Sequence, residues 1–413
     1  MNLHLIHLDL QTPHQYKINL DFSIIIPPLK TIYSSRNYLQ LVFHDILETR
    51  IPKLQTERIL LHLDLDAFFA AVEIRKNPSL QGKKLIVGNK SARKTGRGVV
   101  LTCSYEARVY GVRSGMSMLE ALQRCPDAEI SNDAREEYRS TSKRIMAFLK
   151  EFNTPISITS VDEAYLDLTD IVNSYSEAYY LALYIQKTIT EREKITCSIG
   201  IGPTLKIAKI GSDFNKPNGT TVVTPNKIQS FLFNQKLTNI PGIGKKTGSR
   251  LQEKGYYTCG DLLNKNENEL VELLGEYGSY LWKIFNGQTT NYIKTRGLRK
   301  SISHERTFHG KPLELDKFNY YLMKLFNKTH EALMSKNLAV RTLSIKVRYN
   351  GFDTITRAFS LSSPTIDRDI ILTKLQDMTK EYFLDPRGIR LLGVRFSNLV
   401  KLDENETLDN FFN

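Results

Sequence analysis

The sequence predicts a multidomain protein of the α+β class, and three observations lead to that prediction. The chain has 413 residues, which is more than one hydrophobic core usually serves. Apolar residues make up 41% of the chain, enough for several cores, so a wholly disordered protein is excluded. Short apolar runs typical of strands alternate with longer stretches typical of helices, which is the pattern of sheets packed against helices.

The charge and the cysteines narrow the class of protein further. The chain has 57 Lys+Arg against 44 Asp+Glu, a net charge of +13, which suggests a polyanionic partner. Its four cysteines are widely separated and include no C-x-x-C pair, so we expect a reduced, cytoplasmic protein without a zinc ribbon or a disulfide framework. Neither an apolar run of the ~18–20 residues that span a bilayer nor a signal peptide is evident, so no membrane contact is expected.

The N-terminal half contains alternating strands and helices. Residues 1–57 carry no readable motif and are treated as an extension of unknown role. An apolar strand over 59–65 contains Asp64 near its end, and the helix predicted over 67–74 has Asp66 as its expected N-cap. The elements that follow are strands at 84–88 and 98–104, a helix at 135–152, two strand-like pieces within 156–168, a helix at 176–191, a strand at 196–200 and a helix at 205–214.

The C-terminal half divides into a helical region, a linker, a mixed region and a tail. Residues 234–290 are expected to form helices separated by glycine turns, and residues 291–300 a basic linker. Residues 301–400 contain helices and strands, and residues 401–413 form a polar tail. From 299 to 400 the chain carries 18 Lys+Arg against 10 Asp+Glu, so we expect this region to bind a polyanion.

Three carboxylates lie beside apolar segments, where burial of a carboxylate costs free energy unless a cation or a hydrogen-bond donor compensates for it. Asp64 lies at the end of an apolar strand, and Asp162 and Glu163 lie between the two strand-like pieces. If the three converge, they form an all-oxygen site of the kind that Mg²⁺ prefers, and two such ions can activate a hydroxyl and neutralise a leaving pyrophosphate. Turn formation or helix capping explains each carboxylate equally well, and the spacing alone does not bring the two segments together.

Six motifs occur in one order along the chain and resemble those of one family. They are HLDLDAFFAAVE at 62–73, SYEARVYGV at 104–112, SVDEAYLD at 160–167, CSIGIG at 197–202, KPNG at 216–219 and IPGIG at 240–244. Over about residues 58–400 the chain resembles the Y-family (translesion) DNA polymerases, in particular the polymerase IV or DinB-type branch.

The resemblance implies a right-hand polymerase with a ferredoxin-like palm, small fingers, a helical thumb with a helix-hairpin-helix motif, and an α/β little finger. On this sequence the palm takes 58–75 and 135–233, the fingers 76–134, the thumb 234–290 and the little finger 301–400. The implied reaction is template-directed transfer of a dNTP onto a primer 3′-hydroxyl with release of pyrophosphate, at low fidelity and past damaged bases.

The resemblance also assigns roles to individual residues. Asp64, Asp162 and Glu163 match the catalytic carboxylates, which with the backbone carbonyl of Leu65 hold two Mg²⁺ ions. Asp66 matches a residue of the same motif that is not a metal ligand, so a helix cap is its expected role.

The residues that bind the nucleotide are implied in the same way. Tyr105 and Arg108 lie three residues apart, so on a helical turn they share a face with donors for phosphate oxygens, although such a pair is also common in surface packing. The resemblance makes them ligands of the triphosphate, with Thr102 nearby and Lys216 as a point charge. Phe69 matches the steric gate, whose ring excludes a 2′-hydroxyl and so discriminates dNTP from rNTP.

Two regions are expected to bind the DNA backbone. Glycines in the turn at 241–248 let the chain approach a phosphate, and alternation in the strand at 343–349 puts its basic residues opposite its apolar ones. The candidates are Gly242, Gly244, Lys245 and Lys246 in the turn, and Lys346, Arg348, Arg357, Arg390 and Arg395 on the strands. An ordinary solvated sheet face is the other explanation for the strand residues.

The C-terminal tail carries one short apolar motif. Leu408, Phe411 and Phe412 are spaced i, i+3 and i+4, which puts them on one face of a helical turn. The motif is similar to the peptide that binds ring-shaped sliding clamps of the archaeal and eukaryotic type, with Asn405 in place of the usual leading Gln. It suggests an archaeal source and a clamp partner; alternatively, the two phenylalanines pack back onto the protein.

The sequence therefore predicts a monomeric, Mg²⁺-dependent DNA polymerase that binds primer-template DNA, a dNTP and a sliding clamp. Two other functions stay open at this point. A catalytically inactive DNA-binding scaffold would keep the thumb and the tail but would not need the three carboxylates. A nucleotidyl cyclase shares the palm and the metals but would not need the glycine-rich turn, the basic C-terminal region or the gate.

Overall fold

The computed structural model describes residues 57–293, 297–308, 315–379 and 387–402. The chain divides into two units, residues 1–294 and 295–413, and each is described by itself. None of the helices in these described ranges is both long and apolar enough to cross a membrane. The predicted extension up to residue 56, the centre of the linker and the tail motif (Leu408, Phe411 and Phe412) lie outside the described residues.

The first unit consists of strands and helices that follow one another closely along the chain. In chain order they are β1 (Leu60–Leu65), α1 (Phe68–Lys76), β2 (Leu85–Val87), α2 (Ala92–Thr95), β3 (Thr102–Cys103), α3 (Tyr105–Val109), α4 (Met118–Arg124), β4 (Glu129–Ser131), α5 (Arg135–Lys150), β5 (Ile156–Ile158), β6 (Glu163–Asp167), α6 (Tyr175–Glu193), β7 (Cys197–Gly202), α7 (Leu205–Phe214), β8 (Thr220–Val222), α8 (Ile228–Phe233), α9 (Lys245–Glu253), α10 (Gly260–Leu263), α11 (Glu267–Leu274) and α12 (Glu276–Phe285).

The predicted elements are largely confirmed, with one shortened strand. The long helices α5 and α6 begin and end within two residues of the predicted positions. The strand predicted over 98–104 is reduced to β3, because Val99 forms only an isolated bridge with Ser117.

The main sheet places β1 at its centre. The strand order is β5-β6-β1-β7-β8, and β1 is antiparallel to both of its neighbours. The core of the sheet is built by alternate apolar residues of β1, such as Leu61 and Leu63, together with buried residues of α1, α5 and α6. Since apolar side chains on both faces of β1 are buried, the strand is fixed in depth and register, and the residues at its end are positioned accurately.

Helix α7 packs directly onto β7, and Gly200 makes this possible. A Cβ atom at Gly200 would lie 1.9 Å from the backbone oxygen of Ala208 and 2.3 Å from the backbone nitrogen of Ser212. Only glycine lets a helix and a strand approach this closely. The contact brings the polar residues of α7 next to the end of β1.

Two smaller structures complete the first unit. The sheet β3-β2-β4 lies between α1 and α5 in the sequence and has its own small apolar core around Ile86 and Met118. Helices α8 to α12 pack around Leu251, Leu281 and Phe285. The region predicted to be helical, 234–290, contains α9 to α12, and α8 lies just before it.

The second unit is a single antiparallel sheet covered on one face by helices. Its elements are β9 (Ser301–Thr307), α13 (Leu315–Met334), β10 (Leu338–Tyr349), β11 (Thr354–Thr365), α14 (Arg368–Asp377) and β12 (Ile389–Lys401). The strand order is β11-β10-β12-β9. The alternation predicted for β10 is confirmed, since Leu343, Ile345 and Val347 are buried with residues of α13 and α14, while Lys346 and Arg348 are only partly buried.

Candidate active site

The carboxylates that are far apart in the sequence meet at the end of β1. Asp64 and Glu163 are cross-strand partners in the antiparallel pair of β1 and β6. The backbone N–H of Leu65 donates a 2.9 Å hydrogen bond to the carbonyl oxygen of Asp162. Pairing of β1 with β6 therefore supplies the proximity that the sequence spacing could not show.

Two lysine ammonium groups bind these carboxylates. Lys216 Nζ lies 2.8 Å from Asp64 Oδ1 and 2.6 Å from an oxygen of Asp213. Lys209 Nζ donates to Glu163 Oε1 at 2.6 Å. Lys209 and Asp213 lie on α7, and Lys216 follows shortly after its end, so this helix supplies the positive charge of the site.

The two paired carboxylates differ in proton affinity because they differ in burial. Burial raises the pKa of Asp64 to about 7, against the opposing charge and hydrogen bond of Lys216. Burial also raises the pKa of Glu163, but the hydrogen bond and charge of Lys209 outweigh it, so that this pKa lies below its usual range. Glu163 is therefore ionised at neutral pH, whereas Asp64 titrates near it.

The oxygen atoms at this site suit a hard divalent cation, although in the structure they do not enclose a space for one. Asp64, Leu65 and Asp162 line one cavity and offer oxygen atoms to it. Among the residues described, no three Asp, Glu, His or Cys side chains lie close enough together to enclose a metal ion. Asp64 and Glu163 instead bind ammonium groups, so they already act as cation ligands. An all-oxygen set of this kind fits Mg²⁺ chemistry once the lysines withdraw.

Asp66 is not the helix cap that the sequence suggested. The residue before α1 is Ala67, which has a φ of 44°, and no side chain caps the helix. The Asp66 carboxylate instead accepts hydrogen bonds from Ser198 Oγ at 2.8 Å and from the backbone N–H of Asn218 at 2.8 Å. Because Asp66 is 3% exposed, both oxygens need fixed donors, and it ties β1 to the loop after Lys216.

All the residues predicted to bind the nucleotide surround one cavity of about 150 Å³. Its lining includes Asp64, Leu65, Phe69, Thr102, Tyr105, Arg108, Asp162 and Lys216. The Arg108 guanidinium lies 4.6 Å from the centre of the Tyr105 ring, so the two residues share a face as predicted. Burial, followed by the charge of Asp66, raises the pKa of Tyr105 to about 12, so its hydroxyl stays a hydrogen-bond donor.

Phe69 rests on a residue that the sequence analysis missed. Its ring stacks on Tyr138 with ring centres 4.3 Å apart and an interplanar angle of 16°. The Tyr138 hydroxyl donates to Glu73 Oε1 at 2.8 Å, and Ser131 Oγ donates to the other carboxylate oxygen at 2.6 Å. Phe68, in contrast, is 3% exposed and belongs to the core. The orientation of Phe69 is therefore set by a ring from α5 that is itself hydrogen-bonded.

The spacing of charged residues gives a second signal for these two lysines, in addition to the six motifs. Lys209, Asp213 and Lys216 are spaced i, i+4 and i+7, which is one face of a helix. That pattern predicts a charged stripe along α7 that continues to Lys216 just beyond its end, but it does not show that the stripe faces the carboxylates.

The glycine-rich turn forms an exposed helix start. Gly242 has a φ of +114°, and a Cβ atom there would lie 2.6 Å from the Tyr277 ring, so only glycine fits. Gly244 precedes α9, and Lys245 and Lys246 are exposed in the first turn of that helix. Free backbone N–H groups and two positive charges thus face solvent together.

The basic residues of the second unit do not form one surface. Arg395 is paired with Ser344 and shares the face of β10 that carries Lys346. Arg357 is paired with Ile345, which places it on the opposite face, the one covered by helices. The strand register therefore puts Arg357 and Lys346 on opposite faces of the sheet, and contact of each with DNA stays a prediction.

Several basic side chains there already have partners. Lys346 Nζ lies 2.9 Å from Glu305, and Arg348 Nε donates to Thr354 Oγ1 at 2.8 Å. Arg390 lies 4.5 Å from the centre of the exposed Phe352 ring.

Comparisons with known proteins identify the family. A model of the impB/mucB/samB family matches residues 63–213, and models of that family's C-terminal domain and helix-hairpin-helix (HHH) motif match residues 299–409 and 225–256. DNA polymerase IV of Methanoculleus marisnigri is 40% identical over 356 residues, 86% of this chain and 98% of the relative. DNA polymerase IV of Streptococcus pneumoniae is 38% identical over 337 residues, 82% of this chain and 96% of the relative.

Solved structures give the same answer. A Y-family DNA polymerase chimera has a TM-score of 0.73 at 31% identity, covering 83% of this chain and 99% of the chimera. An insertion ternary complex of Dbh DNA polymerase has a TM-score of 0.60 at 30% identity, again covering 83% of this chain and 99% of that chain.

Fold, acidic site and relatives together define the class of protein as a template-directed DNA polymerase. The chain belongs to the impB/mucB/samB family, the Y-family DNA polymerases of the DinB type. The predicted right-hand fold and DNA polymerase activity are thereby confirmed, and the enzyme requires divalent metal ions. The relatives include an archaeon and a Streptococcus, so an archaeal source stays a prediction.

Proposed function

We propose that the cavity at the end of β1 is the site of nucleotidyl transfer, with Asp64, Asp162, Glu163 and the backbone carbonyl of Leu65 as ligands of two Mg²⁺ ions. One observation carries the proposal: the β1–β6 pair sets Asp64 opposite Glu163. The same pairing holds Leu65 against Asp162. Acidic oxygens from two segments are thus fixed beside a cavity lined by basic and hydroxyl donors.

The chain's own side chains orient the two substrates. Thr102, Tyr105 and Arg108 offer donors to the β- and γ-phosphates of a dNTP lying in the cavity. The primer 3′-hydroxyl gives up its proton to solvent and attacks the α-phosphorus, the bond from that phosphorus to the bridging oxygen breaks, and pyrophosphate leaves. When bound, the Mg²⁺ ions lower the pKa of the attacking hydroxyl and stabilise negative charge on the phosphate oxygens. Synthesis is of low fidelity and passes damaged template bases.

Lys216 has two roles in this proposal. In the structure it neutralises Asp64 and Asp213. A triphosphate carries more charge than either carboxylate, so an incoming dNTP draws the ammonium group away and leaves Asp64 free as a ligand. Nucleotide binding and opening of the acidic site are thereby linked.

Phe69 is the proposed steric gate. Stacking on Tyr138 fixes the ring plane, and the bond from Tyr138 to Glu73 fixes the supporting ring in turn. A ring held in this way cannot turn aside for a 2′-hydroxyl, which gives selection by repulsion.

The remaining assignments extend the proposal to DNA and partners. The division into palm, fingers, thumb, linker and little finger follows the boundaries given by the sequence. The turn and the start of α9 contact backbone phosphates through Gly242, Gly244, Lys245 and Lys246. The second unit does so through Lys346, Arg348, Arg357, Arg390 and Arg395. Binding of the tail motif to a sliding clamp, a monomeric state and a cytoplasmic location complete the proposal; deleting 408–413 should remove stimulation by a clamp and spare synthesis without one.

Primer extension tests the active site. Glu163→Gln should lower extension on an undamaged template and on one with an abasic site by at least about a thousandfold, because it removes a charged ligand. The matched control is Glu151→Gln, an exposed residue in the same unit, which should extend both templates like the wild type. Extension by the Glu163 variant at the control rate would refute the assignment.

A further inference from the structure

A buried histidine beside the acidic site has no part in the chemistry described so far. His62 lies on β1, is 0% exposed and packs against Tyr165 with ring centres 4.4 Å apart and an interplanar angle of 55°. The His62 Nδ1 atom lies 2.7 Å from Ser212 Oγ on α7. The His62 Nε2 atom is buried, and no group among the described residues forms a hydrogen bond with it.

The hydrogen bonds of Ser212 decide which ring nitrogen of His62 carries the proton. Ser212 Oγ makes two short contacts, one to His62 Nδ1 and one of 2.8 Å to the carbonyl oxygen of Lys209. The carbonyl can only accept, so the hydroxyl proton lies in that contact. The contact with the ring then contains a proton only if Nδ1 carries it. Because the side chain is 0% exposed, a second proton would leave an unsolvated charge on the ring, so Nε2 is an acceptor.

The His62 Nε2 acceptor lies near a second acceptor, a carboxylate oxygen of Glu163. His62 Nε2 lies 4.0 Å from Glu163 Oε2, and neither atom has a proton to share. The other oxygen of the same carboxylate, Oε1, accepts from the Lys209 ammonium group at 2.6 Å. One carboxylate thus has a movable donor on one side and an unsatisfied buried acceptor on the other.

Metal binding would change this arrangement. A divalent ion on Glu163 competes with the ammonium group for the carboxylate and repels it, because both carry positive charge. Lys209 is about one quarter exposed and sits on a helix fixed against β7, so only its side chain can move. A partly buried ammonium group needs an acceptor after it leaves. His62 Nε2 lies 4.0 Å from the other oxygen of the same carboxylate and is a buried acceptor that has no donor among the described residues.

We propose that His62 Nε2 is the acceptor to which the Lys209 ammonium group transfers when Glu163 binds a divalent ion. His62 is then a positioning residue, since it acts on the metal site through Lys209. The inference rests on the proposed metal-binding role of Glu163. It predicts that metal affinity depends on an acceptor at position 62 only while a lysine occupies position 209.

The test is a Mn²⁺ titration of the full chain without DNA or nucleotide, with free Mn²⁺ followed by electron paramagnetic resonance. His62→Leu, which removes the acceptor, should weaken the apparent Kd about tenfold, the size expected for loss of a charge-assisted hydrogen bond. His62→Gln keeps an acceptor oxygen and should stay within about threefold of the wild type. In a Lys209→Met background, His62→Leu should change the affinity less than about twofold.

Ser212→Ala provides a second route if the leucine variant folds poorly by its thermal transition. Without its serine partner, His62 can move its proton to Nε2 and lose the acceptor. Mn²⁺ binding should then weaken several-fold with Lys209 present and stay unchanged in the Lys209→Met background. Equal losses in both backgrounds would mean that the ring matters only for packing and would overturn the proposal. Wild-type affinity in both His62→Leu and Ser212→Ala would overturn it as well.

Glu163→Gln separates this inference from the proposed function beneath it. Unchanged Mn²⁺ affinity in that variant would mean that Glu163 is not a ligand, and the proposed site itself would fail. Lost affinity in Glu163→Gln together with normal affinity in His62→Leu would remove the role of His62 alone.

Discussion

The close contact between α7 and β7 predicts that Gly200→Ala damages stability and activity together. A Cβ atom at this position would start 1.9 Å from Ala208 O and 2.3 Å from Ser212 N, and both are backbone atoms. To restore even a tight contact of about 3.0 Å, the helix must withdraw by about 1.1 Å. Such overpacking should cost about 3 kcal/mol of unfolding free energy.

Activity should fall further than stability explains. Withdrawal of α7 moves Lys209 and, through the helix end, Lys216 away from the carboxylates. Since a 1 Å displacement of positioning groups can cost about 10²-fold, kcat for extension should fall by about that factor under conditions where the variant is folded.

The single tryptophan makes the stability measurement straightforward. Trp282 lies on α12 in the first unit, so urea unfolding followed by its fluorescence reports on that unit. Gly244→Ala is the control, because no atom lies within 4 Å of the position that its Cβ would take, and its unfolding free energy should change by less than about 1 kcal/mol. A Gly200→Ala protein with wild-type unfolding and wild-type kcat would refute the packing argument.

Three further predictions follow from the site. Phe69→Ala should raise the rNTP-to-dNTP ratio of kcat/KM at least tenfold, and an unchanged ratio would contradict the gate. Tyr138→Leu removes the stacked ring and should raise the ratio as well, whereas Tyr138→Phe keeps the stack and should change the ratio little. Asp64 has a folded-state pKa of about 7, above its unfolded value, so its contribution to metal-free stability is fully present below about pH 4 and is lost as the pH rises through 7. Asp64→Asn should flatten that slope in pH-dependent urea unfolding, and a slope equal to that of the wild type would count against it. Lys245→Gln with Lys246→Gln should lower the slope of log K against log salt for duplex DNA by about 2, as measured by fluorescence anisotropy, and an unaltered slope would exclude both contacts.

The sequence predicted what local pattern and motif order determine. The alternation of apolar and basic residues in β10 correctly predicted which side chains are buried and that Lys346 and Arg348 lie on the other face, because side chains alternate strictly along a strand. The long helices were located closely, since their apolar periodicity extends over several turns. The residues around the cavity came from the resemblance, and strand pairing then placed them together.

What the sequence did not predict depends on contacts between distant segments. Asp66 has the residue type and position of a helix cap, yet Ser198 and Asn218 supply better donors from another part of the chain. Arg357 could not be assigned to a face of the sheet, because the sequence of neither strand alone determines the register between β10 and β11. The support of Phe69 by Tyr138 likewise arises only when α1 and α5 pack.

The central position of β1 has a consequence for synthesis of the protein itself. The strand that carries Asp64 is among the first described segments to leave the ribosome, but both of its partners come much later, β6 near residue 163 and β7 near residue 197. Until about residue 222 has emerged, the nascent chain cannot complete this sheet, because β8 forms its edge, and pairing over such long sequence separations is slow. A truncated translation product that ends before β7 therefore lacks one neighbour of β1 together with Lys209 and Lys216, and we expect such a fragment to have no catalytic activity toward DNA.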